Sequence, residues 1–167
     1  MSAAIQASSV SGGAPRARSQ QLALLAVWAL TLCVHVTAAL LVARGLNAES
    51  TGTVLRDAYY VVAHIRWSIG VSLFIALFAV FYAFVPRYPL RLAWAHALLT
   101  LVGVTLVSLR SVVLSSTGLP RRHIDYPATF EFWNNASTAG YLLVALGLLI
   151  FIVMLLAMAL RRKAGAS

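Results

Sequence analysis

Long apolar runs alternate with short polar segments along this chain. Apolar residues dominate positions 22–43, 58–85, 92–109 and 136–160. A helix needs about 20 apolar residues to cross the hydrocarbon core of a bilayer, so the pattern predicts four spans. Pro86 and Pro89 predict a tight turn between the second and third spans, because proline does not continue a helix. The expected fold is all-α, a four-helix transmembrane bundle.

The polar segments set the expected domain boundaries. Residues 1–20 are rich in Ser, Ala and Gly and predict a disordered tail. Residues 21–163 then form the four-span membrane domain, and residues 164–167 a short second tail. The longest internal polar segment, residues 111–135, contains Gly118, Pro120 and Pro127. It predicts a structured loop or a broken helix.

Composition supports a membrane protein and excludes a soluble one. Apolar residues make up 61% of the chain, charged residues 10%, and the mean hydropathy is +0.87. Soluble domains carry about 25% charged residues, so this chain has too few to coat a globule. Its one cysteine, Cys33, excludes an internal disulfide and a cysteine-cluster metal site.

The net charge of +9 comes from 13 Lys and Arg against 4 Asp and Glu. In a soluble protein such an excess would suggest nucleic acid, but here the cations flank apolar runs and the expected partner is the lipid bilayer. The side holding both termini carries seven cations and no acid: Arg16, Arg18, Arg87, Arg91, Arg161, Arg162 and Lys163. The other side carries five: Arg44, Arg56, Arg110, Arg121 and Arg122. The positive-inside bias predicts that both termini are cytoplasmic.

His64 and Arg66 are ionisable residues inside the second apolar run. Such residues are costly in a membrane unless they are paired or face a cavity, so they are candidates for function. Arg66 either extends towards the interface, near Asp57 or Glu131, or lines a polar cavity. His64 is either a neutral imidazole bonded to its surroundings or a ligand, and helical spacing places Tyr60 and Asp57 on its face.

Histidines also occur in the first and third runs, as His35 and His96. Two facing histidines can hold a b-type heme. His35 and His64 fall at similar depths in the outer half, whereas His96 falls in the inner half. A heme between His64 and His35 is therefore geometrically possible, and one between His64 and His96 is not. The structural alternative for His35 and His96 is a hydrogen bond between helices.

Two strings carry a specific resemblance. The segment from Arg56 to Arg66, RDAYYVVAHIR, resembles the H-D-T-Y-Y-V-V-A-H-F-H signature of heme-copper oxidase subunit I. The segment 118–127, GLPRRHIDYP, followed by Trp133 and Asn134, resembles that subunit's G-M-P-R-R-Y-x-D-Y-P…W-N segment. One span separates the two strings in both. The resemblance covers the last four of the family's twelve helices.

The resemblance implies roles for several residues. His64 matches the axial ligand of the high-spin heme, and Arg121 and Arg122 match the arginines that hold heme propionates. By itself, that arginine pair could also anchor lipid headgroups. The low-spin heme ligand is replaced by Arg66, which offers iron no lone pair because guanidinium stays protonated. The histidine of the family's magnesium pair is replaced by Arg56, which leaves only Asp57 and weakens the case for that metal.

The family's copper ligands lie on helices earlier than those matched, so copper is not expected in this chain. The chain is expected to be a component of a respiratory terminal oxidase complex that contacts heme, with other oxidase subunits as partners, in a prokaryotic inner membrane. It is not expected to reduce oxygen by itself. The alternative is a structural or assembly subunit without heme. A transporter with Arg66 in its cavity is a weaker alternative, because no repeated halves are present.

Overall fold

Four long helices make up the structure. A computed structural model describes residues 13–48, 54–85, 88–116 and 128–164. They form α1 (Gly13–Ala48), α2 (Val54–Phe84), α3 (Leu90–Ser116) and α4 (Ala128–Ala164). Each helix contains a stretch apolar and long enough to cross a membrane. The predicted all-α, four-helix transmembrane fold is confirmed, and the chain is a multi-pass membrane protein.

The helices extend beyond the apolar runs. Helix α3 continues to Ser116 and α4 begins at Ala128, both within the segment expected to be a loop or broken helix. The hydroxyls of Ser115 and Ser116 donate to the carbonyls of Val112 and Val113. These local bonds satisfy the polar side chains within the helix, so α3 extends past its apolar part.

The first helix also starts early. Helix α1 begins at Gly13, inside the segment 1–20 expected to be a tail. Ala, Arg and Gln are good helix formers, and Pro15 lies in the first turn, where proline is tolerated. The stretch of α1 that qualifies as a span begins at Arg18. Residues 1–12 and 165–167 of the expected tails lie outside the described residues.

Neighbouring helices run antiparallel. Gln21, near the start of α1, donates to the carbonyl of Tyr82 near the end of α2 at 3.0 Å. Arg110, near the end of α3, donates to Asn134 Oδ1 near the start of α4 at 2.8 Å. We call the end of the bundle where α2 ends the α2–α3 end, and the opposite end the α3–α4 end. The predicted cytoplasmic location of both termini stays a prediction.

The four helices do not pack evenly. In the described ranges, α1 lies close to α2 and α3, and α3 also lies close to α4, whereas the backbone of α2 approaches only α1. Large side chains bridge the wider space between α2 and the α3–α4 pair at the α2–α3 end, where Phe78 and Tyr82 contact Phe151 and Met154. Towards the α3–α4 end the same space stays open.

Two glycines explain the close approach of α3 and α4. A Cβ added to Gly103 would lie 2.6 Å from the carbonyl oxygen of Gly140, and one added to Gly140 would lie 2.8 Å from the carbonyl oxygen of Gly103. The obstructing atoms belong to the backbone, so they cannot move aside cheaply. Small residues let membrane helices pack closely, where dispersion drives association.

We expect Gly103→Ala to lower stability, because the added methyl group forces α3 and α4 apart. The cost should be about 1–3 kcal/mol, the usual range for overpacking. The measurement is the unfolding temperature of the purified protein in detergent. Gly70→Ala is the control, because nothing lies within 4 Å of a Cβ built there. Equal effects of the two substitutions would contradict the packing argument.

Candidate functional site

A buried tyrosine–histidine pair lies near the α2–α3 end. Tyr82 Oη and His96 Nδ1 are 2.8 Å apart, and both residues are completely buried. Tyr82 lies in the last turn of α2 and His96 in the second turn of α3, so the short α2–α3 connection brings them together. A second contact, 3.8 Å long, links Tyr82 Oη to Met154 Sδ. The pair thereby joins α2, α3 and α4.

Aromatic rings surround His96. Its ring centroid lies 5.0 Å from that of Trp28, 4.6 Å from Phe78 and 5.1 Å from Phe151. These rings come from α1, α2 and α4. Edge-to-face arrangements, such as that of Phe78 with His96, stabilise aromatic pairs beyond simple burial. The aromatic cluster, defined as Trp28, Phe78, Tyr82, His96 and Phe151, therefore links all four helices.

Two nitrogens of the aromatic cluster remain unpaired within the described structure. They are Trp28 Nε1 and His96 Nε2, both buried. Tyr82 has one hydroxyl proton and donates either to His96 Nδ1 or to Met154 Sδ. In the first case His96 Nε2–H is an unpaired donor, and in the second Nε2 is an unpaired acceptor. Only the second tautomer complements the Trp28 N–H group.

His35 makes an interhelical contact. Its Nε2 donates to the carbonyl of Ser68 on α2 at 3.2 Å, and the side chain is buried. This nitrogen is therefore engaged with the backbone of α2 and is not free to bind iron. The geometry favours the interhelical hydrogen bond for His35. Its predicted role as a heme ligand would require that bond to break.

Position 64 lies on α2, one helical turn before Ser68. Tyr82, which contacts His96, is 18 residues further along α2 than His64, or about 27 Å at 1.5 Å per residue. That separation is too great for one heme to join His64 and His96. The side chains of Asp57, Tyr60 and His64 lie outside the described residues.

A groove between α1 and α2 lies beside this part of α2. It measures about 450 Å³, and its walls include Ala39 and Ala43 of α1 and Ser68 and Ser72 of α2. The helical repeat places position 64 in one row with Ser68 and Ser72. We call this space the α1–α2 groove. The rest of its lining is aliphatic and includes no charged residue: Val36, Leu40, Ile65, Ile69 and Leu73.

A second groove lies between α2 and the α3–α4 pair. It measures about 430 Å³ and is lined on α2 by Arg66, Gly70 and Phe74, on α3 by Thr100, Val104 and Val107, and on α4 by Tyr141 and Val144, with Trp67, Val71 and Ile75 completing its walls. Arg66 is exposed, and it is the one charged residue in this lining. We call this space the Arg66 groove.

The arginine pair and the metal ligands are the two other parts of the predicted site. Arg121 and Arg122 lie outside the described residues. Within the described ranges, no three His, Cys, Asp or Glu side chains are grouped so that they could hold a metal ion. The described parts of the candidate site are therefore α2, its two grooves and the aromatic cluster.

Residues 10–150 match the family model described as Cytochrome C and Quinol oxidase polypeptide I. The chain belongs to this oxidase polypeptide I family. The match contains all of α2 and α3, both grooves' α2 walls and the segment with Arg121 and Arg122. It also contains all of α1, and α4 as far as residue 150.

Curated members of the oxidase polypeptide I family give the same relationship. The chain is 31% identical over 133 residues to cytochrome c oxidase subunit 1 of Pecten maximus, covering 77% of this chain and 28% of the relative. It is 31% identical to that of Albinaria turrita over 65% of this chain and 58% of the relative. It is 30% identical to that of Cereibacter sphaeroides over 75% of this chain and 23% of the relative. The chain thus spans only part of these relatives. No solved structure matches significantly.

Sequence reasoning missed the Tyr82–His96 pair. For His96 it weighed an interhelical hydrogen bond, which the structure shows, against heme ligation, but it did not consider Tyr82 as the partner. A signal was present, because the two residues are 14 apart and straddle the predicted Pro86–Pro89 turn. Tyr88, which lies between them and outside the spans, packs edge-on against Tyr82 at 5.0 Å, and burial raises the pKa of its phenol.

We expect Tyr82→Phe to destabilise the bundle while keeping its shape. The substitution leaves His96 Nδ1 buried without a partner, which should cost about 1–2 kcal/mol given the penalty for an unpaired buried group and the modest value of interhelical bonds in membranes. The measurement is reversible unfolding in detergent. Tyr141→Phe, at a tyrosine that is 52% exposed, is the matched control. If both variants are as stable as the parent, the buried bond contributes nothing.

Proposed function

We propose that this chain is a component of a respiratory terminal oxidase complex in a prokaryotic inner membrane, and that His64 is the axial ligand of a heme. The observation that carries the proposal is membership of the oxidase polypeptide I family over residues 10–150. The resemblance of residues 56–66 to the family's signature supports His64 as the residue that would bind the heme iron. The chain acts with helices from other polypeptides or from another copy, and it does not reduce oxygen alone.

The surroundings of position 64 suit a heme on one side. The α1–α2 groove of about 450 Å³ lies one turn further along α2, and its walls combine aliphatic side chains with small ones such as Ala39 and Ser72. A neutral imidazole is a common axial ligand of heme iron. The groove is open on its other side, so a complete pocket needs partner helices. Bound heme would supply one-electron chemistry.

Different residues of the chain bind the iron and the propionates of the heme. His64 binds the iron, and Arg121 and Arg122 pair with the carboxylates of the propionates, for which the planar guanidinium is well suited. Tyr60, one turn before His64, belongs to the same site. Arg66 cannot replace the family's second histidine as an iron ligand, because it stays protonated. The proposal therefore includes one heme and no copper, and no magnesium at Asp57.

We expect protein purified from heme-replete cells to show a Soret band, and His64→Ala to abolish it. The reason is that removing the imidazole removes the iron's axial ligand. The measurement is the absorption spectrum of the full chain, reduced minus oxidised. Arg121→Gln with Arg122→Gln should weaken heme retention without changing the ligand.

His96→Ala serves as the control for this experiment. It removes a buried histidine from the aromatic cluster, so it should lower stability and leave the Soret band of the folded fraction unchanged. A colourless but well-folded parent protein would refute heme binding. So would a His64→Ala variant with an unaltered spectrum.

A second candidate function is a structural or assembly subunit without heme. It is favoured by Arg66 and Arg56, which stand where the family has histidines. In this case oxidase subunits should copurify with the colourless chain, and His64→Ala should change stability but no spectrum. Copurification alone does not separate the two candidates, because both predict oxidase partners, whereas the spectrum does.

A further inference from the structure

The Arg66 groove has the size and composition of a ligand site. Its volume of about 430 Å³ falls within the range of about 300–1,000 Å³ typical of such sites. Its lining is apolar except at its charged end and at Thr100 and Tyr141. The hydroxyl of Thr100 already donates to the carbonyl of His96 at 2.8 Å. The one charge that the groove offers to a ligand is the guanidinium of Arg66.

Arg66 lies at the level where lipid headgroups begin. It is 18 residues before Phe84, the last residue of α2, a rise of about 27 Å. The hydrocarbon core of a bilayer is about 30 Å thick. Arg91 and Arg110 give an independent measure on α3, since they stand 19 residues, or about 29 Å, apart. Arginines thus mark both boundaries of the core, and Arg66 belongs to the one at the α3–α4 end.

The α2 wall of the Arg66 groove has a gap one turn after Arg66, on the side towards Phe74. Gly70 lies one turn along α2, and nothing lies within 4 Å of a Cβ built there. The groove therefore extends along α2 from Arg66 past Gly70 to Phe74, a length of about 12 Å along the helix. This path is parallel to the helix axes, the direction in which lipid chains lie.

We propose that the Arg66 groove binds one acyl chain of an anionic phospholipid, and that Arg66 holds its phosphate. A guanidinium stays charged and pairs with phosphate through two parallel hydrogen bonds. An anionic lipid such as phosphatidylglycerol is favoured over zwitterionic phosphatidylcholine, because its headgroup carries no cation of its own to compete with Arg66. The site is independent of heme at His64, which belongs to the row that faces the α1–α2 groove.

The α1–α2 groove provides an internal comparison. It has nearly the same volume, about 450 Å³ against about 430 Å³, but no charged residue in its lining. An acyl chain can occupy either groove, so both should retain lipid non-selectively. Selectivity for an anionic headgroup should arise only at the Arg66 groove.

The test is native mass spectrometry of the full chain in detergent, titrated with dioleoylphosphatidylglycerol or with dioleoylphosphatidylcholine. The parent protein should bind the first phosphatidylglycerol molecule with a Kd at least ~10-fold lower than the first phosphatidylcholine molecule. Arg66→Gln should bring the two within ~2-fold, whereas Arg66→Lys should keep part of the preference because the charge remains. Gly70→Leu, which fills the path, should weaken phosphatidylglycerol binding ~10-fold without lowering the unfolding temperature.

Two variants control for charge and for groove filling. Arg91→Gln removes an exposed arginine at the α2–α3 end, and Ala39→Leu fills the α1–α2 groove. Neither should change the preference for phosphatidylglycerol. Equal affinities in the parent, or a preference that survives Arg66→Gln, would overturn the proposal.

Other occupants have distinct outcomes. Loss of heme absorbance in Gly70→Leu would assign the groove to heme. Release of a copurifying subunit by Gly70→Leu, with phosphatidylglycerol binding unchanged, would assign it to a partner helix. An adduct of inorganic phosphate that Arg66→Gln abolishes, without lipid preference in the parent, would assign the guanidinium to free phosphate. Each of these results overturns the lipid proposal.

Discussion

The bundle depends on the hydrogen bond between Tyr82 and His96 and on the rings packed around it. Because Tyr82 also touches Met154 and Trp28 stacks on Tyr82 at 5.8 Å, this one region contacts every helix. Large rings at one end act as spacers. They fix the distance between α2 and the α3–α4 pair where the chain turns, and that distance determines how much space remains further along α2.

The close packing of α3 against α4 contrasts with the wide space between α2 and this pair. Gly103 and Gly140 bring those two backbones into direct contact, so no space remains between α3 and α4 at this crossing. Helix α2 has no such partner and approaches only α1 closely within the described ranges. Membrane helices gain little from the hydrophobic effect against lipid tails, so tight packing and wide spacing are both set by side-chain shape. The two grooves follow from this uneven packing.

The sequence predicted the fold well because apolar run length is a strong signal and each helix satisfies its own backbone. It predicted helix ends poorly, because seryl hydroxyls can bond their own helix and extend it past the apolar run, as Ser115 does on α3. His35 could not be assigned from the sequence, since only the geometry shows Nε2 on the Ser68 carbonyl. The Arg66 groove could not be predicted from the sequence either. A missing side chain at Gly70 matters only when the neighbouring helices leave the space unfilled.

Helix α2 gives the two proposals a common physical origin. His64 and Arg66 are two residues apart, and two residues on a helix are separated by about 200° of rotation. Any helix of this kind presents two opposite faces to two different neighbours. The family signature that residues 56–66 resemble has a histidine at each of these positions, and the resemblance implies one heme on each face. Replacing the second histidine by arginine exchanges an iron ligand for a permanent cation. On our two proposals, the face with His64 holds a heme, whereas the face with Arg66, which lines an apolar groove, binds an anion at headgroup depth.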